Sequence, residues 1–193
     1  MSATIDRRLA VAKLLARRGD ALVVSGLGAA TYDVAAAGDT PRNFYLWGAM
    51  GGTASLALGL ALAQPETPVI AITGDGEMLM GMGSFATIAL QQPRNLTVVV
   101  LDNGLYGETG SQASHTSRAD LAAIAQACGI GRVDLITTER ELEAVCERLP
   151  VRSDGPHVVV VKIATTEHPR LIPLRDGAHG KARTRVALGL PVD

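Results

Sequence analysis

Hydrophobic and polar residues along the chain fall into two alternating patterns. Short β-branched runs read as strands: "ALVVS" (21–25), "NFYLW" (43–47), "PVIAIT" (68–73), "LTVVVLD" (96–102), "VDLIT" (133–137) and "HVVVVKI" (157–163). Several are apolar at every position, as a parallel strand covered on both faces requires. Helical spacing lies between them, predicting helices at about 4–18, 50–63, 80–91, 119–128 and 139–149. Strands alternating with helices predict an α/β fold: a single doubly wound, mostly parallel six-stranded sheet with helices on both faces. Ligands of such sheets sit at the carboxyl ends of the strands. Residues 1–163 form the expected domain. Residues 164–193 lose the pattern and carry Arg170, Arg175, Lys181, Arg183 and Arg185. They read as an extension packing on the domain or on a partner, or meeting an anionic ligand.

Bulk properties narrow the function. The 193 residues suffice for one domain with a large core. A net charge of −1 gives no argument for nucleic acid or an anionic membrane surface. The first 20 residues read as a charged amphipathic helix rather than a signal peptide, and no run approaches a membrane span. Cys128 and Cys146 form no CxxC pair, so neither a metal cluster nor a disulfide framework follows. Buried free thiols and a cytoplasmic location are expected.

The candidate chemistry lies at two strand ends. "TGDGE" (73–77) follows one apolar run and "DNGLYG" (102–107) ends the next. A carboxylate between glycines suits a hard cation, and glycine admits turns and close ligand approach. A helix starting near Met78 would point free N–H groups at the same place. One carboxylate with such donors suits Mg²⁺ bound together with a diphosphate. Asn103 offers a neutral oxygen, and the Leu105 carbonyl could turn inward as a third ligand. Taken singly, Asp-Gly and Asn-Gly are common turn dipeptides. Two of them at adjacent strand ends, with about 25 residues between Gly76 and Asp102, point to one site. Rival phosphate motifs fail. "GMGSFA" (81–86) begins eight residues after Thr73, "SGLGAAT" (25–31) has Thr31 in place of its last small residue, and there is no P-loop.

These residues resemble the thiamine diphosphate motif, GDG followed by an Asn-containing turn. Asp102 stands where the family's first Asn would be. By that resemblance, Asp75, Asn103 and the Leu105 carbonyl bind Mg²⁺. Gly74, Gly76 and Glu77 meet the diphosphate, Gly76 and Glu77 through their N–H groups, and Tyr106 and Gly107 close over it. "WGAMGGTASLALGLALA" (47–63) resembles the segment that holds the aminopyrimidine. There the Gly48 carbonyl and the Met50 N–H would bind the ring, and the Met50 side chain would wedge the cofactor into a bent form. Without that resemblance Met50 reads as a core methionine.

"NFYLWGAMG", the stretch "GDGEMLMGMGSFATIALQQPRNLTVVVLDNGLYGETGSQ" and "PRLIPLRDG" resemble the phosphonopyruvate and sulfopyruvate decarboxylase group. The resemblance implies a thiamine diphosphate-binding fold of the diphosphate (PP) type and decarboxylation of a small anionic 2-oxo acid. Such enzymes pair this domain with a pyrimidine-binding domain that supplies a glutamate. Glu77 and Glu108 lie beside the diphosphate motifs and are not placed for that role. A hetero-oligomer is therefore expected, in which an α subunit carries the glutamate and the apolar helix 50–63 packs at an interface. His115 is a candidate acid/base, and Gln112, Ser114 and Thr116 are candidate anion donors near the substrate. Carboligation, a 2-oxoacid oxidoreductase component and a non-catalytic cofactor-binding partner are the alternative functions.

Overall fold

A computed structural model of the chain describes residues 5–149 and 153–192. The central sheet has six strands: β1 (Leu22–Ser25), β2 (Asn43–Tyr45), β3 (Val69–Gly74), β4 (Leu96–Asp102), β7 (Arg132–Ile136) and β8 (His157–Lys162). Their order is β2-β1-β3-β4-β8-β7 and every pairing is parallel. The "mostly parallel" expectation thus sharpens to an all-parallel sheet. The strand order reverses between β1 and β3, the kind of switch point at which open α/β sheets bind ligands. A two-stranded antiparallel hairpin, β5 (Leu105–Tyr106) with β6 (Gln112–Ala113), stands apart beyond β4.

Side chains alternate across the sheet, which splits the core in two. Val99, Leu101, Val159 and Val161 meet α1 (Arg7–Ala16), α2 (Ala29–Ala36) and α7 (Glu139–Cys146) on one face. Val98, Val100, Val158 and Val160 meet α3 (Thr53–Ala63), α5 (Ser84–Gln91) and α6 (Leu121–Ala127) on the other. Two-sided burial is why these strands read as unbroken valine runs. Cys128 and Cys146 are free and belong to opposite layers, and burial pushes the Cys146 thiol pKa up. No helix of the described residues is long and apolar enough to cross a membrane.

Three helical expectations need correction. The helix expected over 80–91 is two: α4 (Asp75–Met80) starts directly from β3, and α5 follows after the Gly81–Gly83 turn. The helix thus begins at Asp75 rather than near Met78. The break lies where two backbones touch: a Cβ on Gly81 would stand 2.1 Å from the Gly51 carbonyl oxygen. Helix α2 went unpredicted because six of its eight residues are buried, which leaves no polar stripe. The third is α8 (Gly177–Ala187), inside the C-terminal extension for which no helix was expected. The helix expected from residue 4 starts at Arg7, and residue 4 lies outside the described residues.

The C-terminal segment lies against the sheet layers. Arg8 donates to the Pro169 carbonyl at 2.7 Å, His168 pairs with Asp6, and Trp47 donates to the Leu174 carbonyl at 2.8 Å. Arg175 stacks over the Trp47 ring and Arg183 binds Asp39. Helix α3 turns Ala54, Ala57, Leu58 and Ala61 inward and leaves Leu62 exposed.

Candidate cofactor site at the carboxyl edge of the sheet

Both Asp75 and Asn103 come to the carboxyl edge because each directly follows its strand, and β3 pairs with β4. One cleft there is lined by Met50, Gly74, Asp75, Gly76, Glu77, Asn103, Leu105, Tyr106 and Gly107. Of the residues expected in the site, Gly48 and His115 are outside this lining. Gly48 is exposed, at φ 70°. His115 stands on the rim, exposed, with Nδ1 3.4 Å from the Tyr106 hydroxyl. The cleft encloses about 120 Å³, less than the roughly 300–1,000 Å³ of an enclosed small-molecule site.

Asp75 is the electrostatic centre. Its carboxylate is buried, and Ser114 and Thr116 both donate to Oδ2, Thr116 at 3.3 Å. Among the described residues no side chain donates to Oδ1. Thr116 Oγ1 is also 2.9 Å from Asp102 Oδ1, so one hydroxyl spans two carboxylates. Burial raises the Asp75 pKa above the ordinary carboxylate value. The Ser114 hydrogen bond lowers it, and the Asp102 charge raises it further. A buried carboxylate beside a second one gains from a nearby cation. Asn103 Oδ1 accepts the Leu105 N–H at 2.9 Å, a local turn that sets Leu105 at the cleft. An all-oxygen set of one carboxylate, one amide and one main-chain carbonyl suits Mg²⁺. Among the described residues no group of three His, Cys, Asp or Glu could hold a metal instead.

The two halves of the cleft are joined beneath it. The Glu77 carboxylate is buried and accepts from Thr53 Oγ1 at 2.5 Å and Thr73 Oγ1 at 2.6 Å. It lies flat on Gly26, where a Cβ would stand 1.6 Å from Oε2. Tyr106 lies on Gly76 with the same intimacy: a Cβ there would be 2.4 Å from the ring. Both glycines are therefore required by close approach.

The chain matches the family described as thiamine pyrophosphate enzyme, C-terminal TPP binding domain, over residues 26–161. It belongs to that family. The TPP-binding domain has the fold that family membership leads one to expect. It is 38% identical to the sulfopyruvate decarboxylase subunit beta of Methanococcus maripaludis, over 74% of this chain and 76% of that one. The corresponding subunit of Methanothermobacter thermautotrophicus is 35% identical, over 84% and 91%. The phosphonopyruvate decarboxylase of Streptomyces viridochromogenes is 41% identical over 75% of this chain but only 36% of its own longer one. A solved structure described as that of a putative thiamin diphosphate-dependent enzyme from Mycobacterium smegmatis superposes with a TM-score of 0.73 at 25% identity, covering 86% of this chain and 33% of that one.

Sequence reasoning missed three contributions. Ser114 and Thr116, expected to bind substrate anions, spend their hydroxyls on Asp75 and Asp102. Gln112, expected in the same role, pairs with Thr109. Arg7 also lines the cleft. An arginine in the first turn of α1 carried no signal, because only the fold brings that end of α1 to the carboxyl edge.

Proposed function

We propose that this chain is the β subunit of a thiamine diphosphate- and Mg²⁺-dependent decarboxylase of a small anionic 2-oxo acid. Sulfopyruvate or phosphonopyruvate is the favoured substrate, giving an aldehyde and CO₂. The observation that carries the reading is the meeting of Asp75, Asn103 and Leu105 in one cleft of a TPP-binding domain. The relatives named subunit beta, which this chain matches over most of their length, support the subunit role.

In this reading Asp75, Asn103 and the Leu105 carbonyl hold Mg²⁺. The N–H groups of Gly76 and Glu77 bind the diphosphate beside Gly74, and Tyr106 and Gly107 cover it. The Gly48 carbonyl and Met50 orient the aminopyrimidine. Bound there, the cofactor supplies the electron sink into which the substrate's carboxylate carbon–carbon bond breaks. The chain's part is to position the cofactor, keep water out and stabilise charge. His115, at the mouth beside Tyr106, is assigned to hold or deliver a proton. The pyrimidine glutamate comes from an α subunit that supplies the missing wall, which fits the small volume of the cleft and the exposed Met50 and Leu62.

The test is co-expression with the α subunit and a panel of 2-oxo acids. Aldehyde and CO₂ formation dependent on both subunits supports the reading. A coupled acyloin product, or full turnover by this chain alone, overturns it. Asp75→Ala should abolish Mg²⁺-dependent cofactor binding, and retained binding would remove Asp75 from the metal site.

A further inference from the structure

One cation lines the cleft. Arg7, at the start of α1, is the only Lys or Arg in its lining, beside the acidic Asp75, Glu77 and Glu108. Its side chain is 9% exposed. Among the described residues its hydrogen bonds run through Nη1 alone, to Asp33 and, at 3.3 Å, to the Ala29 carbonyl. Asp33, fully buried, also accepts from Arg8 Nε at 2.9 Å. A single carboxylate therefore holds two guanidinium groups, the buried Arg7 and the partly exposed Arg8, and the cluster keeps one net positive charge. Burying uncompensated charge is costly unless a counter-charge arrives.

The proposed cofactor supplies one. A Mg²⁺ bound through Asp75 leaves a single positive charge against the several negative charges of a diphosphate. Glu77 cannot help, since its side chain is a carboxylate that accepts from Thr53 and Thr73 and offers no donor. Glu108 is itself an anion, with Arg170 at 3.6 Å. Arginine suits a phosphoryl group because its planar fork presents several donors to neighbouring oxygens.

We infer that Arg7 binds the anionic diphosphate end of the cofactor, as a cofactor-binding residue contributed by the first turn of α1. The inference rests on the thiamine diphosphate reading above. Asp33 is then a positioning residue that holds the guanidinium at the cleft wall, with Arg8 as the second partner that keeps Asp33 neutralised.

The test is calorimetric titration of the full chain, co-purified with its partner subunit, with thiamine diphosphate or thiamine in the presence of Mg²⁺. Arg7→Gln should weaken thiamine diphosphate binding about 10- to 100-fold, the scale of one or two lost charge-assisted contacts. Thiamine, which has no diphosphate, should bind as in the wild type. Arg7→Lys should recover part of the loss, as a point charge without the fork. Arg7→Gln leaves Asp33 paired with Arg8, and Arg7→Gln with Asp33→Asn, which removes that pair as well, should show the same diphosphate-selective loss. Thiamine diphosphate affinity within twofold of wild type overturns the inference, as does equal loss for both ligands. Unchanged cofactor affinity with a raised KM for the 2-oxo acid overturns it in favour of the substrate's anion. If the wild-type complex binds no thiamine diphosphate, the functional reading falls first.

Discussion

Asp102 and Lys162 are register partners on β4 and β8, and their side chains pair at the carboxyl edge of the sheet. Asp102 occupies the position that is Asn in the thiamine diphosphate motif. Its buried charge is met by Lys162, by Thr116 and by the Gly104 N–H at 3.1 Å. The departure from the motif therefore comes with its own counter-ion on the adjacent strand. Lys162→Met should destabilise the chain by about 1–3 kcal/mol, below the full cost of a broken buried pair because water reaches the lysine. Asp102→Asn in the same background should recover most of that loss. Urea unfolding of the four proteins of the cycle checks it.

Gly81→Ala forces the backbone off Gly51 and should cost about 2 kcal/mol or more. It should also weaken cofactor binding, because Met50 precedes Gly51 directly. Gly59→Ala is the control: a Cβ there meets nothing within 4 Å, and its helical site should gain about 0.5–1 kcal/mol. Thermal melts with and without thiamine diphosphate separate the two effects.

Glu77→Ala leaves the Thr53 and Thr73 hydroxyls without their acceptor and opens a void beside Gly26. A loss of about 2–4 kcal/mol is expected. Glu77→Gln keeps the volume and one acceptor oxygen, and should cost about 1 kcal/mol. Equal losses in chemical denaturation would show that the charged acceptor, and not the volume, carries the stabilisation.

At the opposite edge of the sheet, His157 is buried at the start of β8 with Nε2 2.7 Å from Asp134 and, among the described residues, no partner for Nδ1. Burial lowers its pKa, against the opposing pull of Asp134. The folded protein thus binds this proton less readily than the unfolded chain. Its stabilising contribution is complete above the unfolded histidine pKa of about 6.5 and fades as pH falls through that value toward the folded one. Midpoint temperatures from about pH 7.5 to pH 5 should drop less steeply in His157→Gln than in the wild type.

His115→Ala should lower kcat/KM about 100-fold or more if His115 handles a proton. Cofactor affinity should stay the same, because His115 lies outside the cleft lining. A fall of less than threefold removes His115 from the chemistry.

The six strands were legible because parallel strands covered on both faces are uniform apolar runs, as in "HVVVVKI" and "LTVVVLD". Helix α8 was not, because it carries Lys181, Arg183 and Arg185 and buries only Thr184, which leaves almost no apolar face. The metal-site candidates were legible because Asp75 and Asn103 belong to turns that local glycines announce. The Ser114 bond to Asp75 spans 39 residues and the Arg7 bond to Asp33 spans 26. Such pairings come from the path of the chain through space, which no local spacing records. The break between α4 and α5 is of the same kind, since its cause is Gly51, far from Gly81 in sequence.

That contact between two bare glycines acts as a ruler. With no side chain on either residue, the spacing between the Met50 loop and the end of α4 is set by main chain against main chain. Side-chain rotamers cannot alter it. The loop that carries Met50 is thus anchored to the turn between α4 and α5, and a side chain added at either glycine should displace it as a whole rather than be absorbed by repacking.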